Sequence, residues 1–409
     1  MAESVQDPGA MSYDLVIIGG GPAGMMAGLL FSRAGVKTLV LEKHADFLRD
    51  FRGDTVHPST MQIFHELGLL EGLLRRAHDR VEELGARIAG QFERIADFRT
   101  LQVAAPFIAL MPQWDFLDFV AESARRYPTF ELRQSCAGES LLEEGGRVVG
   151  VRTNAGDAIH ARLVIASDGR DSSFRAGFSR QVIGAPMDVF WFRLPKRARP
   201  ENGSLGVFDA GRIFVLIDRG DYWQCAFVFP KGQADRIQSE GVEAFRNRVR
   251  GVGPETVGVD EAIHSWNDVK LLTVTVDRLD RWWRPGLLVI GDAAHAMSPI
   301  GGVGINLAVQ DSVAAANLLA ASLARGECPD GHLAAVQARR MRPVQLTQAV
   351  QKLVQDGVIA PLLERGLKLE KPPLPVRLLD SWRPLRTIPA RLVGMGFRPE
   401  HVRSANAFE

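Results

Sequence analysis

Apolar residues fall along the chain in two rhythms. Tyr13–Ile18 is a continuous, partly β-branched run, the mark of a strand buried on both faces, and Val36–Leu41 is a second. Between them Pro22–Ala34 is small and apolar with helical character, so the three predict one βαβ unit of about thirty residues. A helix is predicted over Met61–Leu70, capped by Ser59 after Pro58, and another over Trp114–Arg126 between Pro112 and Pro128. From Glu131 the pattern turns to strands: Glu131–Ser135, Arg147–Thr153, Ala158–His160 and Leu163–Ala166. A second, more aromatic set follows at Met187–Leu194, Ser204–Asp209, Arg212–Ile217 and Trp223–Phe229, with turns at Gly211 and Gly220. Leu287–Ile290 reads as a buried strand and Asn306–Arg325 as an Ala/Leu-rich helix. From Gly331 the chain reads as helices broken at Pro372, Pro373 and Pro375, and no internal repeat is present.

Composition narrows the class. The chain has 409 residues, 46% hydrophobic and 24% charged, which predicts a soluble globular protein of about two or three domains and excludes disorder, collagen and coiled coil. Lys plus Arg is 49 and Asp plus Glu is 48, a balance that argues against a general nucleic-acid or anionic-membrane binder. Cys136, Cys225 and Cys328 lie far apart, so neither a disulfide framework nor a structural zinc site is expected, and a reducing compartment fits. His65-Glu66 begins an HExxH, but Leu69 stands where its second histidine would be; no metal is expected. The first eleven residues carry Glu3 and Asp7 and read as a frayed tail rather than a signal peptide. No apolar run approaches about 18 residues. A cytoplasmic protein without an integral membrane segment is the expectation.

The first chemical constellation is Gly19-Gly20-Gly21-Pro22-Ala23-Gly24, a G-x-G-x-x-G between strand and helix. Gly19 permits the tight turn, Gly21 lets a pyrophosphate approach the backbone, and Gly24 lets the helix pack close to the strand. Free N–H groups at the helix start favour the phosphates. Glu42, at the end of the next strand, is placed to accept hydrogen bonds from an adenosine ribose, with Lys43 beside it. Together these predict a dinucleotide site. Further along, Gly291-Asp292-Ala293-Ala294-His295 follows a buried strand and precedes Pro299-Ile300-Gly301-Gly302-Val303-Gly304-Ile305-Asn306.

At this point the chain resembles the flavoprotein aromatic hydroxylases, the p-hydroxybenzoate hydroxylase-like FAD monooxygenases. Three signatures stand in the family's order over about residues 13 to 345: the G-x-G-x-x-G with its Glu, the Asp-Gly motif Asp168-Gly169 running to Arg175, and Gly291-Asp292. The resemblance implies that Asp292 hydrogen-bonds the ribityl chain of a non-covalent FAD, with Gln113 touching that chain from the opposite side. It implies that Arg52 reaches the flavin phosphates. Asp168, with Ser172 and Arg175, would touch FAD and is linked to nicotinamide binding. Arg175 is equally well read as a structural ion-pair partner, and His295 as a packed, hydrogen-bonded residue rather than a base. Backbone N–H groups at the start of the helix from Asn306 would stabilise the reduced, anionic flavin, and the Pro299, Gly301, Gly302, Val303 and Gly304 loop would let the ring lie close.

No second complete G-x-G-x-x-G exists, since Gly251–Thr256 lacks its last glycine, so NAD(P)H is expected as a transient donor without a domain of its own. Trp191-Phe192-Arg193-Leu194-Pro195 fails the halogenase W-x-W-x-I-P pattern, and no lysine occurs between Lys43 and Lys196. Small basic clusters at Arg75-Arg76, Arg193–Arg199 and Arg246–Arg250 read as solvated faces. Trp223, Cys225, Phe227 and Phe229 share one strand face that is either pocket or core. Trp191, Trp223 and Phe227 are the candidate substrate contacts.

The predicted fold is α/β: a discontinuous Rossmann-like FAD-binding domain (11–75, 100–180, 270–345), a β-sheet substrate domain (76–99, 181–269) and a C-terminal helical segment (346–409). The resemblance implies NAD(P)H-dependent insertion of one oxygen atom from O2, through a flavin C4a-hydroperoxide, into a small aromatic and most simply phenolic substrate, by a monomer or homodimer. The alternatives are a reductase or hydratase of the same fold that inserts no oxygen, and a non-catalytic nucleotide-fold binding protein. Unlike the larger phenol hydroxylases, the sequence shows no thioredoxin-like domain after residue 409.

Overall fold

The computed structural model describes residues 12–48, 55–196, 205–209, 211–252, 258–365 and 371–409. Arg52 with its neighbours 51, 53 and 54, the tail 1–11, Arg197 and Arg199, and residues 253–256 lie outside the described residues.

Strand β1 (Ser12–Ile18), helix α1 (Pro22–Arg33) and strand β2 (Thr38–Leu41) form the expected βαβ unit. β1 sits at the centre of an eight-stranded sheet, with β2 and then Phe130–Arg133 parallel on one side. On its other side lie Ala158–Ala166 and Leu287–Val289, also parallel. The antiparallel strands Trp283–Arg284, Arg147–Thr153 and Gly138–Glu144 complete it. Every residue of β2 is buried, as its unbroken apolar run requires. Helix Gly304–Ala324 packs on α1 in the same core, and the Ser312 hydroxyl donates to the Ala23 carbonyl at 2.7 Å. Among the described residues this helix is long and apolar enough to cross a membrane, but most of it is enclosed by the rest of the fold.

A second sheet of seven strands runs Lys270–Leu272, Met187–Pro195, Tyr222–Pro230, Arg212–Asp218, Leu205–Asp209, Glu83–Ile88, Gln91–Asp97. It is antiparallel except where Leu205–Asp209 runs beside Glu83–Ile88. Lys270–Leu272 thus joins the second sheet, whereas the sequence reading assigns it to the first domain. Asp79–Val81 pairs instead with Ile108–Leu110. The helix after Pro58 spans Pro58–Glu66 with His57 at its N-cap. Ser59 is therefore not the cap: Pro58, which needs no N–H partner, opens the helix itself.

The C-terminal part is helical through Asp330–Val354, Ala360–Arg365, Leu374–Ser381 and Thr387–Gly394. Residues 395–409 have no helix. They run back over the first domain, where the Asn317 carboxamide holds the His401 carbonyl at 2.8 Å and the Arg403 N–H at 2.7 Å. The Ala407 N–H donates to the Arg33 carbonyl at 2.9 Å.

Candidate functional site

Three glycines make the turn from β1 to α1. Gly19 adopts φ +98°, and a Cβ there would stand 2.7 Å from the Asp168 Cα. A Cβ on Gly24 would lie 1.8 Å from the Gly19 carbonyl oxygen, so the helix can dock on the strand only as glycine. Gly21 is the opposite case: among the described residues nothing lies within 4 Å of its Cβ position. That open cradle faces a helix start with no side-chain cap and Pro22 in its first turn, which suits an anion on the first-turn N–H groups of Ala23 and Gly24. The buried Glu42 carboxylate accepts from the Gly20 N–H at 2.9 Å and the His44 N–H at 3.0 Å. Lys43 beside it is exposed.

Asp168 lies across this turn. Burial pushes its carboxyl above the usual carboxylate range despite a Ser172 hydrogen bond, and its Oδ1 is buried with no partner among the described residues. Asp292 begins the turn after Leu287–Val289; it makes no hydrogen bond to a described residue and stands 3.8 Å from Arg170. A Cβ on Gly304 would be 4.0 Å from its Oδ1, which puts Asp292 beside the start of the long helix. That helix has Val303 at its N-cap, a side chain that cannot cap, and Gly301 and Gly302 precede it at φ +76° and +63°. Its first-turn N–H groups, at Gly304, Ile305 and Asn306, have no acceptor inside the helix. Gln113 opens the helix Gln113–Ala124, half-buried and without a hydrogen bond to a described residue.

Arg175 is a structural ion-pair partner: its guanidinium meets the buried Asp277 at 2.6 Å. The Asn306 side chain also serves the protein. Its carbonyl oxygen accepts from the His57 N–H at 2.9 Å and the Thr60 hydroxyl at 2.7 Å, and its amide donates to the Gly302 and Thr55 carbonyls. Of Asn306, then, only the backbone N–H is available to a ligand.

The two faces of the seven-stranded sheet differ in kind. Phe190, Phe192, Trp223, Cys225, Phe227 and Phe229 point outward beneath the helices Ala234–Ser239 and Val242–Arg250, and the Phe227 and Phe245 rings stand 5.5 Å apart. Trp223 and Phe227 are accordingly core residues, closed in by Phe245, and not substrate contacts. Trp191 lies on the other face, opposite Ala226, in a cluster with Phe208, Val215, Ile359 and Leu363 that also holds Ile300 of the glycine loop. Its indole Nε1–H is buried and has no acceptor among the described residues.

Comparison with known proteins decides what this arrangement belongs to. A family model described as "FAD binding domain" matches residues 12–350. The 6-methylpretetramide 4-monooxygenase of Streptomyces rimosus is 34% identical over 352 residues, 83% of this chain and 82% of that protein. The chain belongs to the FAD-dependent aromatic monooxygenase family. A rifampicin monooxygenase of Streptomyces venezuelae is 27% identical over 336 residues, 80% of this chain and 68% of that one. The crystal structure of p-nitrophenol 4-monooxygenase PnpA from Pseudomonas putida shares the fold, with a TM-score of 0.75 at 19% identity over 94% of this chain and 98% of that one. FAD is the cofactor and NAD(P)H the electron donor of this monooxygenase family.

Within this monooxygenase, several functional-site residues have no motif to announce them. His57, Thr55 and Thr60 clasp the glycine loop through Asn306, and the Thr55 hydroxyl donates to the Gly302 carbonyl at 2.9 Å. Burial lowers His57 to about 4, against a Val393 carbonyl bond that raises it, so its ring is neutral. Behind Gly291-Asp292 sits an enclosed ionic chain. The Asp311 carboxylate accepts from the Gly291 N–H at 3.1 Å, meets His295 Nε2 at 2.6 Å and accepts from Arg340 Nε at 3.0 Å. Arg340 in turn lies 3.5 Å from Glu400, which is also held by Arg339 at 2.7 Å. Burial would raise the Asp311 carboxyl, but His295 and Arg340 outweigh it and hold it below the usual range. His295 is thus packed and hydrogen-bonded, serving the turn rather than substrate. A partial signal existed: Asp311 and Arg340 are charges on otherwise apolar helix faces.

Proposed function

We propose that this enzyme hydroxylates an aromatic small molecule held between the inner face of the seven-stranded sheet and the glycine loop. The observation that carries this reading is the single apolar cluster that joins Trp191, Phe208, Val215 and Ala226 to Ile300. It gives a flat, water-poor wall beside the site that fits FAD. The buried N–H of Trp191, without an acceptor among the described residues, suits an oxygen atom on the ring system. The Streptomyces relative named for 6-methylpretetramide makes aromatic polyketides the first compounds to assay.

The FAD fit rests on three features: the open cradle at Gly21, the orphaned Oδ1 of Asp168 and the uncapped helix start at Gly304. In this reading Gly19, Gly21, Pro22, Ala23 and Gly24 shape the pyrophosphate turn and its first-turn N–H groups bind the phosphates. Glu42 holds the adenosine ribose, with Lys43 adding positive charge nearby. Asp292 and Gln113 hold the ribityl chain, and Arg52 the phosphates. When bound, FAD takes a hydride from NAD(P)H and activates O2, chemistry no side chain here supplies. The backbone N–H groups of Gly304, Ile305 and Asn306 stabilise negative charge on the ring. Gly301 and Gly302 keep the loop free of side chains that would hold the ring away, and Pro299 and Val303 bound it on either side. Trp191 orients the substrate, and the apolar wall keeps out water that would divert the activated oxygen. We place the enzyme in the cytoplasm as a monomer or homodimer.

Turnover under isotopically labelled O2 tests the reading. One labelled oxygen atom per product molecule is expected, with NAD(P)H oxidation accelerated at least about tenfold by a true substrate. A product whose new oxygen comes from water, or turnover without O2, rejects oxygen insertion in favour of the reductase or hydratase alternative.

A further inference from the structure

Among the described residues the large apolar side chains left in solvent are not spread evenly. Of thirteen such residues, nine fall between 346 and 392. Leu374, Leu378 and Trp382 recur at helical spacing along Leu374–Ser381 and its end, and Ile388 and Leu392 recur along Thr387–Gly394. Both helices lie against the strand Gln91–Asp97, where Ala390 and Val393 pack on Ala96 and Phe98. Both helices therefore leave apolar side chains in solvent beside the same edge strand. Leu346, Val350 and Leu353 form a further exposed stripe on helix Asp330–Val354, whose Thr347 lines a crevice together with Leu392. Exposed apolar side chains concentrated in this way mark an interaction surface.

Charge identifies the occupant. The chain is nearly neutral overall, yet residues 371–398 hold six basic side chains and one acidic one. Arg383 is tied to Asp97 at 3.1 Å and Arg386 to Glu83 at 3.6 Å, which fixes the helices to the sheet. Lys371, Arg377 and Arg391 are exposed and make no ion pair with a described residue. Apolar side chains including a tryptophan, flanked by exposed cations of which, among the described residues, only Arg377 has an acidic neighbour (Glu93), match an interfacial face for anionic lipid. A second copy docked through the same face would set these cations against their own kind.

We propose that the outer face of Leu374–Ser381 and Thr387–Gly394 docks on a negatively charged lipid surface. The apolar side chains enter the headgroup boundary while Lys371, Arg377 and Arg391 meet lipid phosphates. The enzyme is then peripheral, with its long apolar helix still in the core.

The test is co-sedimentation of the FAD-loaded, full-length enzyme with phosphatidylcholine vesicles with and without phosphatidylglycerol. Retention should be at least about tenfold higher on the anionic vesicles and should fall with added salt. The exposed double variants Leu378→Glu/Trp382→Glu and Arg377→Glu/Arg391→Glu should each lower retention by about tenfold, with far-UV circular dichroism unchanged. Their NAD(P)H oxidation without vesicles should also be unchanged. Equal retention on both vesicle types, or wild-type retention by both variants, overturns the proposal. So does concentration-dependent dimerisation that Leu378→Glu/Trp382→Glu abolishes, since a second copy would then be the occupant.

Discussion

In the eight-stranded sheet the residues of interest stand beyond the C-terminal ends of parallel strands, in turns whose shape glycine and buried charge fix. In the seven-stranded sheet they stand on a face, and which face matters more than which residue. Gly21, Asp168 and Asp292 have positions set by backbone, so their chemistry follows from local sequence. Trp191 and Phe227 lie on opposite sides of the pleat, so one joins the cluster that holds Ile300 and the other the core beneath Phe245. The lesson is that a turn can be read from its own residues, whereas a strand face acquires its meaning from what packs on it.

The largest effect expected falls on the buried ionic chain behind the first sheet. Asp311→Ala leaves the enclosed Arg340 with only Glu400 at 3.5 Å and His295 without its Nε2 partner, and breaking such a buried pair costs about 3–5 kcal/mol. Urea denaturation measures it; a loss below about 1 kcal/mol would mean that solvent or Glu400 compensates. Nearly as large is Phe227→Ala, which empties a site packed against Phe214, Phe229 and Phe245 and should cost about 3–5 kcal/mol. Trp191→Ala should behave differently, with a smaller loss of stability and a raised KM for the aromatic substrate. If the two variants exchange these signatures, the assignment of faces is wrong.

Much of the fold was legible because both rhythms were strong. The βαβ unit, the aromatic strands 187–230 and the long Ala/Leu-rich helix fall within a few residues of where periodicity puts them. The strands Glu83–Ile88 and Gln91–Asp97 escaped, because charged residues such as Glu83, Arg87, Glu93 and Arg94 interrupt the alternation at a sheet edge. In the site, the glycine turn, Glu42 and Asp292 follow from motifs that carry their own geometry. His57, Thr55 and Thr60 do not, since their role depends on a loop some 250 residues away whose approach no local pattern encodes. Trp223 and Phe227 misled for a related reason. An apolar strand face looks the same from sequence whether helices or a substrate will cover it.

His57 offers a pH test of the clasp between the two parts. Its folded pKa of about 4 lies below the usual 6.5, chiefly from burial, so the unfolded chain binds a proton that the folded one refuses. Stability from this residue is therefore complete above pH 6.5 and declines as pH falls toward 4, by about 1.4 kcal/mol per pH unit inside that window. The total is on the order of 3 kcal/mol. Thermal denaturation of the wild type and His57→Gln between pH 4 and 7 isolates it: the difference between the two should shrink as pH falls. Parallel curves would mean that the ring is reached by water.

The smallest effect expected on the fold, and the sharpest on the ligand, is at Asp292. It lies nineteen residues before Asp311 in sequence, and both carboxylates serve the Gly291 turn region, one from each side. Asp311 is enclosed and engaged by Gly291, His295 and Arg340, so its charge is used by the protein. Asp292 has a side chain 37% exposed, no hydrogen bond to a described residue and a loose ion pair with Arg170 at 3.8 Å, so less of its charge is used by the protein. Asp292→Ala should then leave the urea midpoint within error of the wild type. FAD affinity should fall by the value of a charge-assisted hydrogen bond, roughly 1.5–3 kcal/mol or about 10- to 150-fold. Asp292→Asn, which keeps an acceptor but not the charge, should fall between. Fluorescence titration of the apoprotein with FAD, run beside denaturation of the same samples, separates the two carboxylates. If Asp292→Ala destabilises the chain as Asp311→Ala does while FAD affinity holds, Asp292 belongs to the turn and the ribityl contact must be sought elsewhere.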